Sequence, residues 1–162
     1  MALTPRAARR LLSFLGDHRS LAREVCWSGS PSDPLLLLFE EQSYGVKLLF
    51  HWMLRVLDVP VALESRGYPA GVRGALHLEI EDPLFPSNSG RFLLEVEDGQ
   101  GRVRAGGEGK LRLDVRALAP LYTGLLSPAA LQAVGKLDAD EGSLGLASAL
   151  FAGPAPTMTD MF

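Results

Sequence analysis

Two alternating runs constrain this chain more than anything else in it. Leu76, Leu78 and Ile80 alternate with His77, Glu79 and Glu81, and Phe92, Leu94 and Val96 restart the same period after the turn-rich break DPLFPSNSG at residues 82–90. Alternation of this kind gives a strand one apolar and one polar face, so the chain needs a sheet with one side buried. Asp98 and Gly99 then supply the two left-handed positions of a tight hairpin turn. Residues 102–105 and 111–115 read as further strands, and an antiparallel meander is predicted.

Helical signals surround that block. Thr4 and Pro5 open an amphipathic helix carrying Leu11, Leu12, Phe14 and Leu15, with Gly16 as its expected stop. Residues 59–66, with Pro60 in the first turn and Gly67 just beyond, read as a short helix. Residues 115–122 before Gly124, a helix capped by Ser127 and Pro128 and ended by Gly135, and residues 144–151 follow the strands. Between the first helix and residue 59 the pattern is strand-like at 21–27. Asp33 and Pro34 begin a possible short helix. Residues 46–58 fit a long strand better than the alternative, a short buried helix. Strands in the middle with helices mostly after them predict an α+β fold with a mostly antiparallel sheet and packed helices.

Composition removes several function classes. The 16 basic and 19 acidic residues are well mixed and sum to −3, which leaves no basic stripe for a nucleic acid backbone. The longest apolar run, residues 46–57, is broken by Lys47, His51 and Arg55 and is shorter than the ~20 residues of a spanning helix. No secretory signal pattern opens the chain, so the cytoplasm is the expected compartment. Cys26 stands alone, excluding an intrachain disulfide and a cysteine zinc cluster. His18, His51 and His77 fall in no metal-ligand or nucleophile motif, and the adjacent Glu40 and Glu41 would point apart on a strand. An apolar share of 47% and a mean hydropathy of +0.12 predict more apolar surface than one small core hides.

Three stretches, in order, carry a family resemblance: WMLRVLDVPVALESRGYP at 52–69, DPLFPSNSGRFLLEV at 82–96 and KLRLDVRALAPLYTGLLSPAAL at 110–131. Together they resemble the C-terminal region of Eis-like GNAT-family N-acetyltransferases, in which two GNAT-like domains precede a sterol-carrier-protein-like domain. The resemblance implies a division into 1–58, similar to the end of a GNAT-like domain, and 59–162, a sterol-carrier-protein-like domain with a C-terminal tail. It also implies an acetyl-CoA-dependent acetylation of amines, aminoglycosides among them, in an oligomeric enzyme. The acetyl-CoA site belongs to the family's first domain, so no cofactor is expected in this chain, and its partners would be the missing GNAT domains or further copies of itself. RAGGEG at 104–109 has the spacing of a GNAT cofactor loop, but the alternating KLRLDV after it marks a glycine-rich hairpin turn rather than a helix N-terminus.

The same resemblance selects the candidate site residues. In this family the carboxylate of a terminal phenylalanine deprotonates the attacking amine, which assigns the catalytic position to Phe162, on an arm that Gly153, Pro154 and Pro156 would hold semi-extended. Asp160 and Asp82 are the candidate substrate-binding acids, Asp160 by attracting a cationic amine. For Asp82, with Asn88 in the same loop, shaping of that loop through Asx turns is the competing role. Two other classes of function are open to such a chain. A sterol-carrier-like fold can enclose a lipid or another hydrophobic ligand, and exposed apolar surface can serve as a self-association module.

Overall fold

Strand β1 (Gly74–Glu81) pairs antiparallel with β2 (Gly90–Glu97), Leu76 opposite Leu94 and Leu78 opposite Phe92, so that the two alternating runs share one face. β3 (Gln100–Ala105) returns against β2 through the Asp98–Gly99 turn, where φ is 51° and 77° as a two-residue hairpin of this kind requires. The computed structural model describes residues 4–30, 32–48 and 50–158. These fall into two units: the described residues up to Trp52 with those from Thr157, and Met53–Pro156.

In the second unit the sheet has five strands in the order β3-β2-β1-β4-β5, with β4 (Leu111–Asp114) and β5 (Leu137–Ala139) on the far side of β1. The class is α+β. The expected meander is corrected at β4, which runs parallel to β1 rather than antiparallel to β3. Residues 104–109 are accordingly no hairpin turn. Leu78 pairs with Phe92, Phe92 with Ala105, and Leu78 with Leu111. The chain leaving β3 must therefore cross β2 and β1 to start β4. It does so over the polar face, with Gly106 N donating to Arg91 O (2.7 Å) and Glu108 N to His77 Nδ1 (3.0 Å). At Gly109 φ is +65°, and a Cβ there would fall on the Glu79 carboxylate. Strand β5, between the helices expected to end at Gly135 and to begin at 144, is three residues long, too short to show a period.

The apolar face of the sheet is covered by α2 (Val59–Ser65), α3 (Val115–Thr123), α4 (Pro128–Ala133) and α5 (Glu141–Leu150). Leu63, Leu76, Leu78, Leu94, Leu111, Leu118, Leu121 and Leu150 are fully buried in one cluster, each worth about 1.5–3 kcal/mol of transfer free energy. Aspartate or serine side chains cap all four helices: Asp58 accepts from Val61 N, Asp114 from Ala117 N, Ser127 from Ala130 N and Asp140 from Ser143 N. Helix α2 lies along the outer edge of β3, where Glu64 accepts from Val103 N (2.9 Å) and so occupies an edge donor that could otherwise recruit another strand.

The first unit is built differently. Helix α1 (Pro5–Asp17) starts as expected, Thr4 Oγ1 accepting from Ala7 N. It runs through Gly16 to a C-cap at His18, whose ring nitrogen Nδ1 meets Phe14 O at 2.8 Å and closes the helix end that glycine was expected to close. Asp33 caps a single 3-10 turn, Pro34–Leu38. The strands expected at 21–27 and 46–58 are absent among the described residues. Their alternation supplies a face, but no described strand runs alongside to take their N–H and C=O groups. Ala8 is the one buried hydrophobic residue described in this unit, while Phe14, Leu21, Trp27, Leu37, Val46, Leu48 and Phe50 are exposed.

Candidate functional site

The loop at 82–90 carries a closely linked set of side-chain hydrogen bonds. Asp82 is 2% exposed, and its Oδ1 accepts from Arg55 Nη2 (2.6 Å), Leu84 N (2.9 Å) and Phe85 N (3.1 Å), its Oδ2 from Asn88 Nδ2 (3.0 Å). Burial alone would raise the Asp82 pKa. The bonds from Asn88, Leu84, Phe85 and Arg55 outweigh it and hold the carboxyl at about 2, well below its ordinary value. Asn88, equally buried, accepts from Val59 N and donates to Leu57 O and Val56 O. Ser89 Oγ closes the loop by accepting from Asp82 N and donating to Asp82 O.

This arrangement pins residues 55–59, which lead into α2, onto the strand that ends at Glu81. The Arg55 guanidinium also lies 5.1 Å from the centre of the Phe85 ring. With its oxygens engaged and its charge held to low pH, Asp82 is a poor proton acceptor and orders the loop through its backbone donors, as an Asx turn does. Leu84 and Phe85 project outward from that fixed backbone, 65% and 39% exposed.

A second node forms where α2, α3 and α5 end together. Arg66 Nε donates to Tyr122 O (2.9 Å), Nη1 to Gly67 O (2.9 Å) and Leu150 O (3.1 Å), and Nη2 to Phe151 O (3.3 Å). Its guanidinium sits 5.1, 6.0 and 5.1 Å from the rings of Tyr68, Tyr122 and Phe151. Burial lowers the Arg66 pKa, and the neighbouring Tyr68 and Tyr122 oppose that shift. Burial likewise pushes the Tyr68 phenol, which donates to Leu63 O, above its ordinary value.

Of the residues singled out in the sequence, Phe162 and Asp160 lie outside the described residues, and Asp82 is the buried loop pin. His77, on β1, faces the polar side of the sheet beneath the crossing loop. Residues 104–109 lead into β4 and not into a helix. Sequence reasoning missed Arg55, Arg66 and Ser89. Their partners lie up to 85 positions away and are mostly backbone atoms, which leave no mark in a sequence.

Among the described residues no group of three His, Cys, Asp or Glu side chains is placed to hold a metal, and no helix is long and apolar enough to cross a membrane. An open depression of about 530 Å³ lies at the hairpin end of the sheet, lined by Arg73, Glu95, Glu97, Asp98 and Arg102 among others. That lining is unlike the apolar walls of a lipid site.

Comparison with known proteins agrees with the architecture. Residues 59–159 match the sterol carrier protein domain, and residues 1–56 match an acetyltransferase (GNAT) domain. An uncharacterized N-acetyltransferase of Streptomyces griseus is 34% identical over the whole chain, which spans 39% of that protein. The N-acetyltransferase Eis of Mycobacterium tuberculosis is 33% identical over 108 residues, 65% of this chain and 26% of its own. The crystal structure of a GCN5-related N-acetyltransferase from Anabaena variabilis superposes over the full chain with a TM-score of 0.95 and 44% identity, covering 42% of that structure. The chain thus spans about two fifths of the relatives that it matches from end to end. It belongs to the Eis-like GNAT-family N-acetyltransferases, as a sterol carrier protein domain preceded by a GNAT-family segment.

Proposed function

We propose that this chain serves as the C-terminal portion of an acetyl-CoA-dependent N-acetyltransferase acting on amines, aminoglycosides among the candidate acceptors, and that it is not catalytic alone. In this reading it shapes the acceptor pocket and supports oligomerisation, in the cytoplasm, while acetyl-CoA binds to the GNAT portion of the longer protein. The observation that carries the reading is the end-to-end match to N-acetyltransferases of which the chain spans 39% and 42%. The first unit adds support, because it leaves strand-like apolar segments without partner strands among the described residues, as a piece of a larger domain would. A stand-alone lipid carrier is not favoured. The sheet's apolar face is occupied by fully buried leucines, and the 530 Å³ depression has charged walls.

Chemically, the terminal carboxylate of Phe162 would first take a proton from the acceptor ammonium and free its lone pair; the neutral amine then bonds to the acetyl carbonyl carbon, the carbon–sulfur bond breaks, and the second nitrogen proton leaves with the coenzyme A thiolate as the thiol. A free carboxylate in water, near pKa ~3.5, is weak for an amine near ~10, so the step requires a desolvated site that narrows the gap. Asp160 would attract the cationic acceptor.

The test joins this chain to the part of the Streptomyces griseus relative that it does not match. The chimera is expected to acetylate amines, and conversion of its terminal Phe162 carboxylate to the carboxamide to lower kcat by about 100-fold or more, with acetyl-CoA affinity unchanged. Full turnover of the amidated enzyme would remove the carboxylate from the mechanism.

A further inference from the structure

We propose that Arg66 is a positioning residue for the C-terminal arm: by gripping the last carbonyls of α5, it fixes the direction in which the chain leaves the sterol carrier protein domain. The inference rests on the proposed role of the Phe162 carboxylate and concerns what aims it.

The last carbonyls of any helix lack intrahelical partners and carry the negative end of its dipole. At α5 those of Leu150 and Phe151 accept from the two terminal nitrogens of Arg66, while Nε of the same group holds Tyr122 O at the end of α3. One planar cation thereby ties together the ends of three helices that are far apart in sequence. Around it Tyr68 and Phe151 are 7% and 3% exposed, and their rings meet edge to face at 6.4 Å. A buried ring packing of this kind leaves the guanidinium one orientation. Lysine could keep the charge but not the fork, because an ammonium cannot address three carbonyls from fixed planar donors.

The outgoing chain is constrained a second time. Gly124 ends α3 at φ +73°, and a Cβ there would stand 3.4 Å from Phe151 O and 4.0 Å from both Gly153 N and Pro154 O. Residues 151–154 therefore run within van der Waals range of the end of α3, at a turn whose positive φ reserves position 124 for glycine. From Ala152 to Phe162 the sequence has eleven residues, a reach of at most roughly 35 Å. A base must come within about 3 Å of its proton. A small rotation at the root of such an arm is amplified at its tip, so a rigid root is what a base carried on a tail needs.

The experiment compares Arg66→Lys and Arg66→Ala with the wild type in two forms. In the 162-residue chain, hydrogen exchange is followed in peptides spanning 147–156, with β1 and β2 as the internal reference for folding. Both variants are expected to exchange about tenfold faster or more at 148–151, the last protected amides of α5, while β1 and β2 stay protected. Unchanged exchange at 148–151 in the folded Lys variant overturns the anchor, even if the Ala variant does not fold. In the chimera, Arg66→Lys is expected to lower kcat about tenfold or more with the KM for acetyl-CoA unchanged. A loosened tail with normal kcat, in an enzyme that loses turnover when the Phe162 carboxylate is amidated, overturns the positioning role. Turnover that survives amidation sinks the carboxylate reading instead, and the exchange result then stands by itself as evidence for the anchor.

Discussion

Asp82 shows how a buried charge becomes an organiser instead of a reagent. Four donors converge on one carboxylate, and their combined effect outweighs the burial that would otherwise raise its pKa. Because the folded value lies near 2 and the ordinary one at 3.8, the unfolded chain takes up this proton more readily. The stabilisation is therefore present above about pH 4 and is lost as the pH falls through about 2. Asp82→Asn is expected to lower the melting temperature at neutral pH and to flatten the wild type's loss of stability between those limits, as read by thermal unfolding across pH. An acid transition identical in both proteins would contradict it. The loop's shape was legible in DPLFPSNSG, since Asp, Asn, Pro and Ser in that order make turns with known chemistry. That Arg55 and residues 56–59 would be fastened to it was not, because backbone acceptors carry no residue identity.

Among the elements, the crossing from β3 to β4 decides the topology. Alternation predicts each strand's faces but not its neighbour, and nothing in KLRLDV distinguishes a strand parallel to β1 from one antiparallel to β3. The glycines at 106, 107 and 109 were read as a turn, whereas their task is to let the backbone pass over His77 and Glu79. Gly109→Ala places a Cβ on the Glu79 carboxylate at a positive φ and disturbs the Arg91 and Arg112 ion pairs with it. The expected cost is about 1–3 kcal/mol by denaturant titration, the range for backbone strain of this kind. Leu78→Ala, in the buried centre of the sheet, should cost about 2–5 kcal/mol, so the loop variant is the milder of the two. Helix starts were legible where Thr4 and Ser127 stand as N-caps before proline, whereas the last helix, expected from residue 144, starts at Glu141 behind the cap Asp140, and the missing stop at Gly16 reflects His18 closing α1 by another route.

At the scale of the molecule, the two units differ in what they bury. Met53–Pro156 holds a continuous core, and the described residues up to Trp52 bury only Ala8 among their hydrophobics. Amides of the described residues in 23–48 are expected to exchange close to their intrinsic rates and those of β1 and β2 far more slowly; equal protection would contradict the difference. The α+β class followed from periodicity, which is written in local patterns, and the sterol-carrier-like domain from the family resemblance that the three ordered stretches carry. The strands expected in the first unit failed because a strand is a property of a pair, and the partner is not among the described residues. The proposal that chemistry needs the rest of the longer protein makes a direct demand on this chain. Titrated with acetyl-CoA in a calorimeter, it is expected to give no heat of specific binding. Saturable binding of acetyl-CoA, accompanied by thiol release when amines are added, would contradict the account and make this chain an enzyme in its own right.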